Sequence, residues 1–199
     1  MARKAGVTAA ETRARLLEAA ADVFAEQGYD GSSIAAITHA AGLSSGAIYA
    51  NYASKADLFL AVLETYCRGQ YRALIGTPAV RDVVDFAALA GSRVDRREPR
   101  QAALLLEAIV AAKRDPEVAD LVRSFLGEAE AQMCAAVKAG RHAGTVDGDV
   151  DEQAFSRFVT MVGLGSALTA SIGLPAPDHT GWASLIERLT ATLRTTPAG

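Results

Sequence analysis

Between Ser44 and Lys55 the chain places Ser45, Gly46 and Ala47 directly before Tyr49, Asn51, Tyr52 and Lys55. Small side chains at the start of a short helix let its backbone come close to base edges and thymine methyl groups. The unpaired N–H groups and positive dipole end of such a helix favour a phosphate. Hydroxyls of Tyr49 and Tyr52 suit phosphate oxygens, and Lys55 adds a positive charge at the start of a further helix. Ser33, upstream, can cap a helix and reach the same backbone. The chemistry of this set is adhesion to duplex DNA rather than bond breaking. A helical hairpin inside a core would not need two tyrosines, Asn51 and Lys55 around so small a helix.

Those residues need a rigid frame, and the flanking sequence predicts one. Thr8-Ala-Ala-Glu11 is a capping box that starts a helix over about 9–27, with Leu16, Leu17, Ala20, Val23 and Phe24 at helical spacing. Gly28 stops it. Ser32-Ser33 offers the next cap, and Ile34, Ile37 and Ala41 form one face of a short helix that Gly42 breaks. Ser44 can cap a third helix, Ser45 to about Tyr52, with Ile48 inward. Two short helices joined by a glycine turn, packed through Ile37, Ala41, Leu43 and Ile48, make a helix-turn-helix whose second helix protrudes. Ser54-Lys-Ala-Asp57 then opens a long fourth helix through Leu58, Val62 and Tyr66.

Residues 8–64 resemble the DNA-binding head of the tetracycline-repressor (TetR) family. Its hallmarks are Phe-x-x-x-Gly-Tyr/Phe at the end of the first helix, Ala-Gly-Val-Ser, and Tyr-x-x-Phe-x-x-Lys-x-x-Leu. This chain carries Phe24…Gly28-Tyr29, Ala41-Gly42-Leu43-Ser44, and Tyr49-Ala-Asn-Tyr52-Ala-Ser-Lys55-Ala-Asp-Leu58. Ser33 stands where threonine is usual, Thr38 for alanine, Asn51 for histidine and Tyr52 for phenylalanine. The resemblance implies a homodimer reading a palindromic operator on double-stranded DNA. Ser33, Ser45, Gly46, Ala47, Tyr49, Asn51, Tyr52 and Lys55 are its implied DNA-facing residues, with Arg13 and a basic Arg3/Lys4 arm as weaker additions. Residues 1–54 would form the helix-turn-helix head, and 55–199 a helical body for ligand sensing and dimerisation. Repression is the commonest behaviour of the family.

The expected fold is all-α, about nine helices in all, with no credible strand. In the body, Pro78 is expected at the first turn of helix 5, followed by Val80, Val83, Val84 and Ala87. Leu104 to Val110 form helix 6, and Asp115-Pro116 starts helix 7 with Val118, Leu121, Val122, Phe125, Ala129 and Met133 in its stripe. Helix 8 covers about 151–173. Helix 9 carries Trp182, Leu185, Ile186, Leu189 and Leu193 on one face. Helices 8 and 9 are expected to form the dimer, because Gly163, Gly165, Ser166, Ala167, Ala170 and Ser171 permit close backbone approach. A small-molecule effector is expected among helices 5 to 8, against Phe86, Leu105, Phe125, Met133, Phe158 and Met161.

Composition narrows the remaining classes. The chain has 199 residues, 50% of them apolar, and a net charge of −3. An acidic chain is not a general nucleic-acid coat, but up to residue 16 Arg3, Lys4, Arg13 and Arg15 face only Glu11. Cys67 and Cys134 are far apart, without metal or redox spacing, and read as reduced thiols of a cytoplasmic protein. No secretory signal is legible before the first helix. The uncharged run Phe158–Pro177 is too rich in glycine, serine and threonine for a membrane span and reads as a buried helix.

A di-metal bundle enzyme would need Glu-x-x-His pairs, and alanine precedes His39, His142 and His179 at that spacing. Asp147 to Glu152 lacks the glycine and glutamate of a calcium loop. No catalytic residue, cofactor or metal is expected. The rival readings are such an enzyme and a protein-interaction adaptor whose helix-turn-helix no longer binds DNA.

Overall fold

The structure is a computed structural model that describes residues 8–68, 79–93 and 98–195, with the side chains of Ser45 and Ala47 outside the description. Among the described residues the chain is all helical. Its helices are α1 (Ala9–Gly31), α2 (Ile34–Ala41), α3 (Ser45–Tyr49), α4 (Lys55–Leu63), α5 (Val83–Ser92), α6 (Pro99–Ala112), α7 (Pro116–His142), α8 (Glu152–Ser171) and α9 (His179–Ala191). A π-helical turn, Glu64–Arg68, continues α4.

Helix starts follow the local chemistry. The Thr8 hydroxyl accepts from the Glu11 N–H, and the Glu11 carboxylate accepts from the Thr8 N–H, closing the expected capping box. Ser33, Ser54, Asp115, Asp151 and Asp178 each accept a first-turn N–H of the helix they precede. Ser44 occupies the cap position of α3 without a side-chain bond. Gly28 (φ 74°) kinks α1, and Gly42 (φ 63°, ψ 38°) ends α2 in the left-handed conformation; a side chain at either would be strained.

Two expectations change here. Helix α5 begins at Val83, not at a proline, because the Asp82 carboxylate accepts from the Val84 and Asp85 N–H groups and fixes the start there. Pro78 lies outside the described residues, as does the Arg3/Lys4 arm. Helix α6 is longer than its apolar core suggested, with Pro99 in the first turn, where a missing N–H costs nothing.

Helix α1 packs on α2, α4 and α6; α6 in turn packs on α7 and α8, and α5 on α9. One hydrophobic core therefore runs from Leu16, Phe24 and Ile37 through Ile48 and Phe59 to Leu104, Val118 and Val122. A second, smaller core gathers Val83, Val84, Val137, Val146 and Phe155. Helix α9 does not present one stripe. Ile186 and Thr190 are buried and Trp182 Nε1 donates to Gly91 O at 2.9 Å, whereas Leu185 and Leu189 face outward. Among the described residues no helix is long and apolar enough to cross a membrane.

Asp115 joins two parts of this frame. Its carboxylate caps α7 through the Glu117 and Val118 N–H groups and lies 3.5 Å from the Tyr29 hydroxyl at the end of α1. Asp115→Ala is expected to cost about 1–2 kcal/mol through the lost cap, read as a shift in the urea midpoint.

Candidate nucleic-acid interface and interior cavity

Helix α3 is held by one anchor and presents the rest. Ile48 is fully buried against Ile37 and Ala41, which are also in the core. Arg15 Nη2 donates to the Ala41 carbonyl at 2.9 Å and so ties the α2–α3 turn to α1. Gly46 is exposed, and Tyr49 is 61% exposed. Ser33 is exposed with its hydroxyl engaged by the Ala36 N–H, and Asn51 is exposed on the turn after α3. Arg13 is exposed on α1, its guanidinium carbon 5.5 Å from the Tyr52 ring centroid.

Two of the implied phosphate donors are placed otherwise. Tyr52 is 7% exposed and its covered hydroxyl meets no partner. The Tyr52 N–H bonds to Ile48 O, so it falls one turn beyond Ile48 and shares its inward face. Lys55 Nζ donates to Tyr29 O at 2.7 Å and to Ser32 O at 3.2 Å, and sits 4.2 Å from the Tyr29 ring centroid. Lys55 therefore fastens the start of α4 to the end of α1, which presents orphan carbonyls.

The end of α1 is also tied to the body. Glu107 of α6 accepts from the Tyr29 N–H at 2.7 Å, just past the Gly28 kink, and Arg114 pairs with Asp30 at 3.1 Å. Farther back, Arg100 bridges Glu18 and Asp22 of α1 at 2.8 Å each, and Tyr66 of the π-turn donates to Glu18. The Arg100 and Tyr66 hydrogen bonds hold the Glu18 carboxyl below its ordinary range. Burial, then the Glu18 carboxylate, pushes the Tyr66 phenol up to about 12. Burial, then Asp115, does the same to Tyr29, to about 12.

Tyrosine in an unfolded chain titrates near about 10, so these folded values are raised. Their contribution to stability is complete below pH ~10 and is lost as pH climbs through the folded values. Stability is expected to fall over that window, and Tyr66→Phe should flatten the fall. Urea unfolding at stepped alkaline pH would show it, and an identical slope in the variant would contradict it.

Between the end of α4, α5, α6, α7 and α8 lies a cavity of about 540 Å³. Phe86, Leu105, Phe125 and Met133 line it. Phe158 and Met161 do not; they are 53% and 63% exposed on the outside of α8. The helical phase is the reason. Ser156, Val159, Thr160, Gly163 and Leu164 make the cavity face of α8, and Phe158 and Met161 fall on the opposite one. Gly163, expected at a dimer contact, also lines the cavity. Sequence reading also missed Arg68, which lies on the π-turn after α4 and joins the cavity wall only through the packing of distant helices. Among the described residues no group of three or more His, Cys, Asp or Glu side chains could hold a metal ion.

Comparison with known proteins agrees with this geometry. Residues 16–62 match the family described as "Bacterial regulatory proteins, tetR family". An uncharacterised HTH-type transcriptional regulator of Mycobacterium bovis is 32% identical over 143 residues, 70% of this chain and 72% of that protein. The HTH-type transcriptional regulator AcrR of Shigella flexneri is 42% identical over 64 residues, but these span 32% of this chain and only 30% of AcrR. In three dimensions, GusR of Salmonella enterica superposes with a TM-score of 0.75 at 24% identity, over 92% of this chain and 94% of GusR. With a relative this similar over most of both chains, and the head matched to its family, the protein belongs to the tetR family of bacterial transcriptional regulators, which bind DNA through a helix-turn-helix.

Proposed function

We propose that the protein is a homodimeric repressor that holds a palindromic operator through α3 and releases it when a small, largely apolar molecule enters the cavity. The observation that carries this reading is the split of α3: Ile48 fully buried, with Gly46 and Tyr49 standing in solvent on either side of it. A helix fixed from behind and bare in front suits insertion into a major groove. Residues 1–54 act as the reading head and 55–199 as the sensing and dimerising body. Ser33, Ser45, Gly46, Ala47, Tyr49 and Asn51 face the duplex, with Arg13 at the flank. Lys55 and Tyr52 set the angle of α3, and the third N–H of Lys55 is left to approach a phosphate. No catalytic role is proposed, and the place of action is the cytoplasm, where such DNA lies.

Dimerisation rests on an apolar face. Phe158, Met161 and Leu168 on α8, Ile172 just past its end, and Leu185 and Leu189 on α9 are all exposed in the single chain. Large apolar side chains gathered on one surface favour association, and a two-fold axis through α8 and α9 would bury them in a four-helix bundle. Release is a population shift. Cys67 and Arg68 at the end of α4 line the cavity, and Lys55 at its start holds the head. A ligand that favours the arrangement with heads wrongly spaced moves α4. Reversing a 99:1 preference would require about ten-thousand-fold tighter binding to that state.

The test is retention of duplex DNA taken from upstream of the protein's own gene, against a scrambled duplex, with mass measured by light scattering. Sequence-dependent retention by a dimer is expected. Equal weak binding of both duplexes, or a protein that stays monomeric at working concentration, would refute the reading.

A further inference from the structure

The cavity wall holds one guanidinium that is almost enclosed. Arg68 sits on the π-helical turn closing α4, with its side chain 11% exposed. Nη2 donates to Phe125 O at 2.9 Å, Nη1 meets Glu128 Oε2 at 3.0 Å, and the guanidinium carbon lies 4.4 Å from the Phe125 ring centroid. Nε is buried and meets no acceptor. The other charged residues of the wall are committed. Arg81 is mostly exposed and pairs with Asp85, while Asp82 caps α5 and pairs with Arg194. The remaining surface is chiefly hydrophobic, with Val83, Phe86, Leu105, Met133, Val159 and Leu164 prominent.

We infer that the molecule this cavity takes is an amphipathic organic acid, its apolar body against those walls and its carboxylate on Arg68. The inference rests on the effector reading above and gives it a chemical class. A hydrocarbon would leave the buried Nε–H unmet, and a buried donor without a partner is costly. A cationic ligand would meet the guanidinium's own charge. A carboxylate matches the fork of an arginine and accepts charge-assisted bonds from it. The present partner can yield, since the Glu128 side chain is 58% exposed and returns to water when displaced. Exchanging one carboxylate for another keeps the charge of the site unchanged. Because the π-turn is continuous with α4, an acid on Arg68 acts directly on the helix that carries Lys55; single π-turns recur at functional sites.

The test titrates decanoate, decanol and decylammonium, each below its aggregation limit, into the full chain by calorimetry. Wild-type protein is expected to bind decanoate at least about ten-fold tighter than either of the others, the worth of a charge-assisted bond. Arg68→Met should remove that selectivity, bringing decanoate to the level of decanol in the same variant, and Arg68→Lys should keep part of it. The wild-type comparison stands even if a variant fails to fold. Decanol binding as tightly as decanoate overturns the acid assignment and leaves the effector cavity standing. No binding by any of the three overturns both. Selective decanoate binding that leaves DNA retention unchanged upholds the acid site and removes its role as the switch.

Discussion

Replacing Gly46 by aspartate is expected to weaken specific DNA retention about 100-fold while leaving the protein folded. A Cβ at Gly46 would meet only the Ser44 Oγ, at 3.9 Å, so the position has room. It stands in the first turn of α3, where a carboxylate is favoured by the helix dipole. Stability should therefore hold or rise slightly. On the outer face the same carboxylate would oppose phosphates and fill the space that lets α3 approach the bases. The expected loss is about 100-fold in operator affinity, at the upper end for one spoiled contact. Fluorescence anisotropy at fixed salt measures it, and thermal melting checks the fold. Gly46→Ala is the control; it should bind nearly as the parent does. If the aspartate variant retained full operator affinity, α3 would not be the reading helix.

Phe24→Ala is expected to destabilise the chain by about 3–5 kcal/mol, the range for truncating a fully buried phenylalanine. Phe24 is 0% exposed, with ring centroids 4.8 Å from Phe59 on α4 and 6.1 Å from Tyr29 past the kink. Typical domains hold only about 5–15 kcal/mol in all, so a large part of the folded reserve would go. The loss should extend beyond the head. The core around Phe24 continues through Phe59 into Leu104 and Val118 of α6 and α7, so head and body should unfold together. Urea melts followed by far-ultraviolet and aromatic circular dichroism are expected to coincide, with a lower midpoint and an unchanged slope. A head that melted first, with the body intact, would show that the shared core does not couple them.

The same core explains which site residues could be read in advance. Gly46 and Tyr49 were legible as an outward face because Ile48 between them was the one large aliphatic residue of a five-residue helix. Lys55 and Tyr52 were not. Both look like surface donors in a string of letters, yet Lys55 finds two carbonyls across the α1–α2 corner and Tyr52 lies covered at the edge of the core. In α8 the difference is one of phase. Phe158 and Met161 are the bulkiest residues near the cavity helix and were natural choices for its lining. A rotation of about 100° per residue sets them outside and turns Ser156, Val159 and Thr160 inward.

What the sequence determined unaided was the set of helices and several of their caps, the left-handed turn at Gly42 and the small face of α3. These depend on neighbours within a turn or two: a hydroxyl within reach of a free N–H, a residue without a Cβ, an apolar period. Tertiary packing decided that Lys55 clamps a carbonyl 26 residues away, that Glu107 holds the Tyr29 N–H across 78, and that Arg68 closes an apolar cavity with one donor unspent. A long polar side chain reaches many partners in principle. Only the angles at which helices cross choose among them.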